Sequence, residues 1–139
     1  MKIPINWEID VPFDDYPSEL KNIYQKKYLS LRKDYSYWID EISSKFSDNI
    51  DWWSLLPSSR NPNFSKIYRY ICVIETLKDI KRKNKHINLS TRSKEFFKFL
   101  QKENIVNDKF VKINMIKGNN NLENIFSYFK SFFFQVYIF

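Results

Sequence analysis

Alanine is absent from this 139-residue sequence, and glycine, cysteine and histidine occur once each, as Gly118, Cys72 and His86. A single glycine rules out a Gly-rich dinucleotide turn and a Walker-type phosphate loop, both of which need several positions without a Cβ. One Cys and one His rule out a zinc cluster and an intrachain disulfide. A Ser–His or Cys–His pair for nucleophilic catalysis would have to run through His86. No run of 18 or more uncharged apolar residues is present, so no segment reads as a membrane-spanning helix. The opening MKIPINWEIDVPFDDYP carries three prolines and four acids and no secretory apolar stretch. A lone Cys suits a reducing compartment. The expected location is the cytoplasm, extending to the inner face of the membrane.

What is abundant is apolar and aromatic mass. A hydrophobic fraction of 43% and an aromatic fraction of 19% argue against disorder. The length suits one domain with a real core. The formal net charge is +7, but 18 of the 23 basic residues are Lys and 5 are Arg. Paired hydrogen bonds to bases or phosphates favour the planar fork of Arg, and AT-rich codons account for the enrichment in Lys, Asn, Ile, Phe and Tyr. Nucleic acid is therefore disfavoured as a partner.

The predicted fold class is α/β, with N-terminal long helices followed by a partial Rossmann-like βαβ unit and a small parallel sheet. Residues 1–17 read as an irregular acidic arm, since Met1 to Glu19 holds one Lys against five acids. Residues 18–83 read as helical. Ser18 is the expected cap of a helix over 18–46, whose apolar stripe from Leu20 to Phe46 is interrupted only by Lys27. A second helix over 64–81 is apolar over most of its circumference and is predicted to be central and buried. Residues 84–139 read as the partial βαβ region. Residues 87–90 and 110–116 alternate like strands around a helix over 92–104, which implies a right-handed crossover. From Phe126 to Phe139 eight of fourteen residues are Phe or Tyr, too short a stretch to span a bilayer. Two or three parallel strands make a poor sheet, because parallel sheets are normally covered on both faces. The whole therefore reads as one compact domain and as the N-terminal part of a larger protein.

The strongest candidate for binding chemistry is the loop Ser58-Ser59-Arg60-Asn61-Pro62-Asn63 ahead of the second helix. A helix start offers free N–H groups and a partial positive charge. Ser59 and Asn61 add donors, Arg60 a bidentate grip and Lys66 a further charge. The plain alternative is that Asn63 caps the helix while Ser58 and Ser59 make turns. Trp53, in the pair Trp52-Trp53, could offer a stacking face, or be core mass. Lys78–Lys102 holds nine basic residues and two acids, with Phe96, Phe97 and Phe99 interleaved. It reads either as an anion-binding patch or as a solvated helix face above buried phenylalanines. Cys72 reads as core and His86 as surface. No catalytic residue, metal site or cofactor is assigned.

Trp52-Trp53-Ser54-Leu55-Leu56, Ser59-Arg60-Asn61-Pro62, Ser65 and Tyr68-Arg69-Tyr70-Ile71-Cys72-Val73-Ile74-Glu75 resemble the opening region of bacterial glycosyltransferase-like proteins of capsule, O-antigen or lipopolysaccharide assembly. The likeness covers roughly residues 38–116, and its motifs are short and not catalytic. It implies a Rossmann-like half of the GT-B kind, a sugar or sugar-nucleotide ligand, and a donor-side domain lying beyond this chain or on a partner chain. On that reading the chain is the acceptor-side start of such a protein and is not active alone. The rival expectation, from a different class, is a small basic module that binds nucleic acid or an anionic membrane surface through Lys78–Lys102.

Overall fold

The computed structural model describes residues 2–45, 48 and 66–116. Trp53, Ser59, Arg60 and Asn61, with the rest of their loop, lie outside the described residues, as does the aromatic stretch 126–139. The element order is β1 (Ile5–Glu8), a 3-10 turn (Phe13–Asp15), α1 (Ser18–Ser30), α2 (Arg32–Lys45), α3 (Lys66–Arg82), β2 (Ile87–Thr91), α4 (Lys94–Lys102) and β3 (Val111–Met115). The three strands form one all-parallel sheet in the order β1-β2-β3. The chain is an α/β fold with a small parallel sheet.

The first correction concerns the amino-terminal arm, which is not irregular throughout. Ile5–Glu8 is an edge strand paired in register with β2, Ile5 opposite Ile87 and Glu8 opposite Ser90. Ile5, Trp7 and Ile9 alternate with polar residues, and Pro4 and Pro12 bracket the strand. Its partner is about 80 residues away, so no local signal announces the pairing.

The second correction is that the predicted helix over 18–46 is two helices meeting at Leu31. The hydrogen-bond ladder continues through the junction, with the Leu31 N–H donating to the Lys27 carbonyl (3.0 Å) and the Tyr35 N–H to the Leu31 carbonyl (2.9 Å). The Ser30 hydroxyl also donates to the Lys27 carbonyl (3.1 Å), a back-bond of the kind that bends helices. Pro17, not Ser18, occupies the cap position of α1, and no side chain caps it. Lys27, the odd residue in the apolar stripe, reaches Asp79 on α3 at 3.1 Å.

The central helix is as expected. In α3, Ile67, Tyr68, Tyr70, Ile71, Cys72, Val73, Ile74, Thr76, Leu77 and Ile80 are all buried. They join Leu20, Tyr24, Leu31, Tyr35, Trp38 and Ile39 of the first two helices, and Phe96, Phe99 and Leu100 of α4, in one core. The sheet contributes Trp7, Ile87, Leu89, Val111 and Ile113 from a single face. Trp7 packs edge-on against Tyr16 (5.3 Å) and Tyr24 (6.4 Å), the orientation that ring quadrupoles favour.

The opposite sheet face is polar. Registered rows run Asn6, Asn88, Lys112 and Glu8, Ser90, Asn114, and all six side chains are exposed or half-buried. Strict alternation is the pattern of a sheet with one solvated face, more usual in antiparallel sheets than in parallel ones.

Scarcity of glycine is met by asparagine. Asn84, Asn104 and Asn107 hold the positive φ angles of 54°, 54° and 61°, positions that Asn tolerates better than other residues with a side chain. The first two end α3 and α4. Beyond each, an N–H reaches back five residues, from Lys85 to the Ile80 carbonyl (3.2 Å) and from Ile105 to the Leu100 carbonyl (3.0 Å), which closes the helix ends in the Schellman manner.

Candidate functional site

Helix α3 runs into β2 through the short connection 83–86, and β2 runs into α4 through residues 92 and 93. Both helices therefore present their amino-terminal turns at the carboxyl end of the sheet, where open α/β sheets gather ligands. Polar side chains from β1, α3, β2 and the start of α4 meet at that end.

Asp10, two residues past β1, organises the group. Its Oδ2 accepts the Thr91 hydroxyl at 2.9 Å and the Arg92 backbone N–H at 2.6 Å, and its Oδ1 accepts the Tyr70 hydroxyl at 3.1 Å. One short carboxylate thus ties the first strand to the second strand and to the central helix. Charge-assisted hydrogen bonds of this kind are worth more than neutral ones. Tyr70 is held from its other side by Phe96, stacked at 4.2 Å with an interplanar angle of 11°. Burial and the neighbouring Asp10 carboxylate push the Tyr70 hydroxyl well above the ordinary phenol range, so it acts as a donor. Thr91 also accepts the Ser93 N–H at 3.1 Å, and the Ser93 hydroxyl caps α4 by accepting the Phe96 N–H at 3.2 Å.

Beside this network lies an exposed ion pair. Arg92 donates from Nε (3.2 Å) and from one terminal nitrogen (3.1 Å) to a single oxygen, Oε1, of Glu8. A guanidinium has five N–H donors, so three remain, and Glu8 Oε2 has no partner among the described residues. The pair offers donors and an acceptor side by side at the mouth of the network.

Of the binding candidates Trp53, Ser59, Arg60, Asn61 and Lys66, Lys66 is the one described. It is exposed and lies one turn before Tyr70, at this same end of the sheet. The residues sequence reasoning missed are Glu8, Asp10, Tyr70, Thr91, Arg92 and Ser93. A carboxylate just past an alternating apolar triplet was the available signal. It was submerged in an acidic arm, as Arg92 was in a basic run.

That basic run is largely neutralised in space. Lys78 pairs with Glu75 (2.8 Å), Lys81 with Asp108, Arg82 with Asp79 (3.3 Å), Lys85 with Glu19 (3.6 Å), Arg92 with Glu8 (3.1 Å) and Lys98 with Glu95 (4.0 Å). Phe96 and Phe99 are buried and Phe97 is half-buried, so the interleaved rings face the core. Cys72 is fully buried in α3, and desolvation pushes its thiol up to about 12. It is no thiolate nucleophile at neutral pH.

Among the described residues no group of three or more His, Cys, Asp or Glu is placed to hold a metal ion. No helix among them is long and apolar enough to cross a membrane. Comparison with protein-family models, curated proteins and solved structures returns no match.

Proposed function

We propose that the carboxyl end of this sheet binds a polyhydroxylated ligand, a sugar or the sugar portion of a sugar nucleotide. In this reading the chain is the acceptor-side part of a surface-carbohydrate glycosyltransferase-like protein, working in the cytoplasm at the inner face of the membrane. It is not active alone, and a donor-side domain or partner chain completes it. The observation that carries the reading is the Glu8–Arg92 pair, with three guanidinium N–H groups and one carboxylate oxygen left over beside the rigid Asp10 network. Paired donors and acceptors on fixed supports are what vicinal hydroxyls need, since each hydroxyl both donates and accepts. The short motifs at Trp52-Trp53 and Ser59-Arg60-Asn61-Pro62 point to the same class of protein.

The test uses neutral methyl glycosides, which carry no phosphate, followed by sugar nucleotides, with binding read by ligand-observed NMR. Arg92→Ala is expected to weaken glycoside binding about tenfold, the effect of losing a charge-assisted hydrogen bond or two. Its side chain is exposed, so the fold is expected to survive. Absence of binding by the intact chain to every glycoside, or an unchanged affinity in Arg92→Ala, would refute the reading.

A further inference from the structure

The other end of the sheet has a different chemistry. There, Lys2, Pro4, His86, Ile87, Asn88, Lys109, Phe110 and Lys112 line an open pocket of about 140 Å³. It is built from the amino-terminal ends of all three strands. The Ile5 N–H donates to the His86 carbonyl (2.9 Å) and the Ile87 N–H to the Phe110 carbonyl (2.8 Å), which fixes the three segments to one another. The His86 ring rests on Phe110 at 5.5 Å, giving the pocket an aromatic wall. On the polar sheet face, Lys112 is in register with Asn88 and Asn6, and the Asn88 side-chain Nδ2 donates to the Asn6 side-chain Oδ1 at 3.1 Å.

Lys2, Lys109 and Lys112 all line this one pocket, and none of them has an acidic partner among the described residues. Lys109 instead lies over the Phe110 ring at 5.7 Å. Three like charges lining one concave surface repel one another, and an anion entering the pocket relieves that repulsion.

We infer that this pocket is a phosphate site, taking the terminal phosphate group of a small anion or of a lipid headgroup. At about 140 Å³ and open to solvent, the pocket has room for a group of phosphate dimensions. The lysines supply charge without the planar fork of Arg, which suits a phosphate oxygen cluster approached as a point charge. The site is separate from the carboxyl-end network. Four residue steps along β2 place the two roughly 13 Å apart.

Isothermal titration calorimetry of the whole chain with inorganic pyrophosphate at low ionic strength tests the inference. Saturable binding is expected, weakening as salt is raised. Lys2→Gln, Lys109→Gln and Lys112→Gln are each expected to weaken it about two- to fivefold, as for exposed charge contacts, and the triple variant more than tenfold. Lys102→Gln, at the exposed end of α4, is expected to leave it unchanged. A flotation assay with phosphatidic acid vesicles separates the sources. Vesicle binding that requires Lys112 assigns the headgroup, and pyrophosphate binding without vesicle binding assigns a free phosphate. Either outcome supports the site. No saturable pyrophosphate binding, or a loss in Lys102→Gln equal to that in Lys112→Gln, overturns it. Because the second probe is a phosphate without sugar and the glycosides are sugars without phosphate, the two sites fail or succeed separately.

Discussion

The two ends of the sheet handle charge in opposite ways. At the carboxyl end, Glu8 pairs with Arg92 and Asp10 accepts hydrogen bonds from Tyr70, Thr91 and the Arg92 backbone, donors 60 to 84 positions away. At the amino end, Lys2, Lys109 and Lys112 gather around a pocket with no acid of the described residues against them. Neither arrangement follows the linear charge pattern. Of the basic residues in the middle of the chain, Lys85 and Arg92 pair with Glu19 and Glu8 of the acidic opening, whereas Lys2, Lys109 and Lys112, which are scattered in sequence, come together at one pocket. The lesson is that a charge run predicts a surface only after its long-range partners are known.

The largest expected effect separates the ends by stability. Asp10→Ala strips acceptors from Tyr70, Thr91 and the Arg92 N–H, and a cost of about 2–3 kcal/mol is expected in urea unfolding. Lys112→Gln, on the exposed side of β3, should cost nothing measurable or stabilise slightly by removing repulsion. Equal losses for the two variants would break the comparison.

Alkaline titration comes next. Burial pushes the Tyr16 hydroxyl, which donates to the Ile9 carbonyl at 2.8 Å, up to about 12, and raises Tyr24, Tyr68 and Tyr70 further. A raised folded-state value means the contribution is whole below the ordinary phenol range near pH 10. It is lost as pH climbs from there, since only the unfolded chain releases the proton easily. Stability is expected to fall by about 2 kcal/mol for Tyr16 alone between pH 10 and pH 12. Urea melts at pH 9 and pH 11 followed by circular dichroism check this, and a flat profile would contradict the packing described.

A smaller effect compares paired and unpaired lysines. Asp108 accepts the Phe110 and Val111 N–H groups at 2.8 Å each with one oxygen and pairs with Lys81 through the other. Partial burial works to raise its carboxyl, but the Lys81 hydrogen bond and charge and the two backbone donors outweigh it, and the net direction is down. Asp108→Asn retains a carbonyl for the backbone and removes the ion pair. A loss of about 0.5 kcal/mol is expected at neutral pH. Because the folded-state value is depressed, the wild-type advantage is present above the ordinary carboxylate range and disappears as pH falls below it.

Periodicity made much of this architecture legible. The apolar positions of 20–39 and the nearly all-round apolar surface of 67–80 mark helices because burial repeats at helical spacing, and residues 87–90 and 111–115 alternate as strands do. β1 was hidden because four residues carry little pattern and its partner lies some 80 positions on. The break at Leu31 was hidden because the apolar stripe and the hydrogen-bond ladder both run through it. The carboxyl-end cluster was illegible for a related reason. Asp10, Tyr70 and Arg92 are ordinary in isolation and become a group only through the parallel pairing of β1 with β2. Trp53, Ser59, Arg60 and Asn61 fall outside the described residues, so their part in binding rests on sequence. Lys66 stands at the end of the sheet where the network forms.

The central claim, that the ends of the sheet are chemically distinct, is tested most directly by following backbone amide resonances during a pyrophosphate titration. The expected result is a set of progressive shifts at residues 86–88 and 109–112, with Asp10, Arg92 and Ser93 unmoved. Shifts that centre on Arg92 and Ser93, or that spread evenly over every exposed lysine, would contradict it.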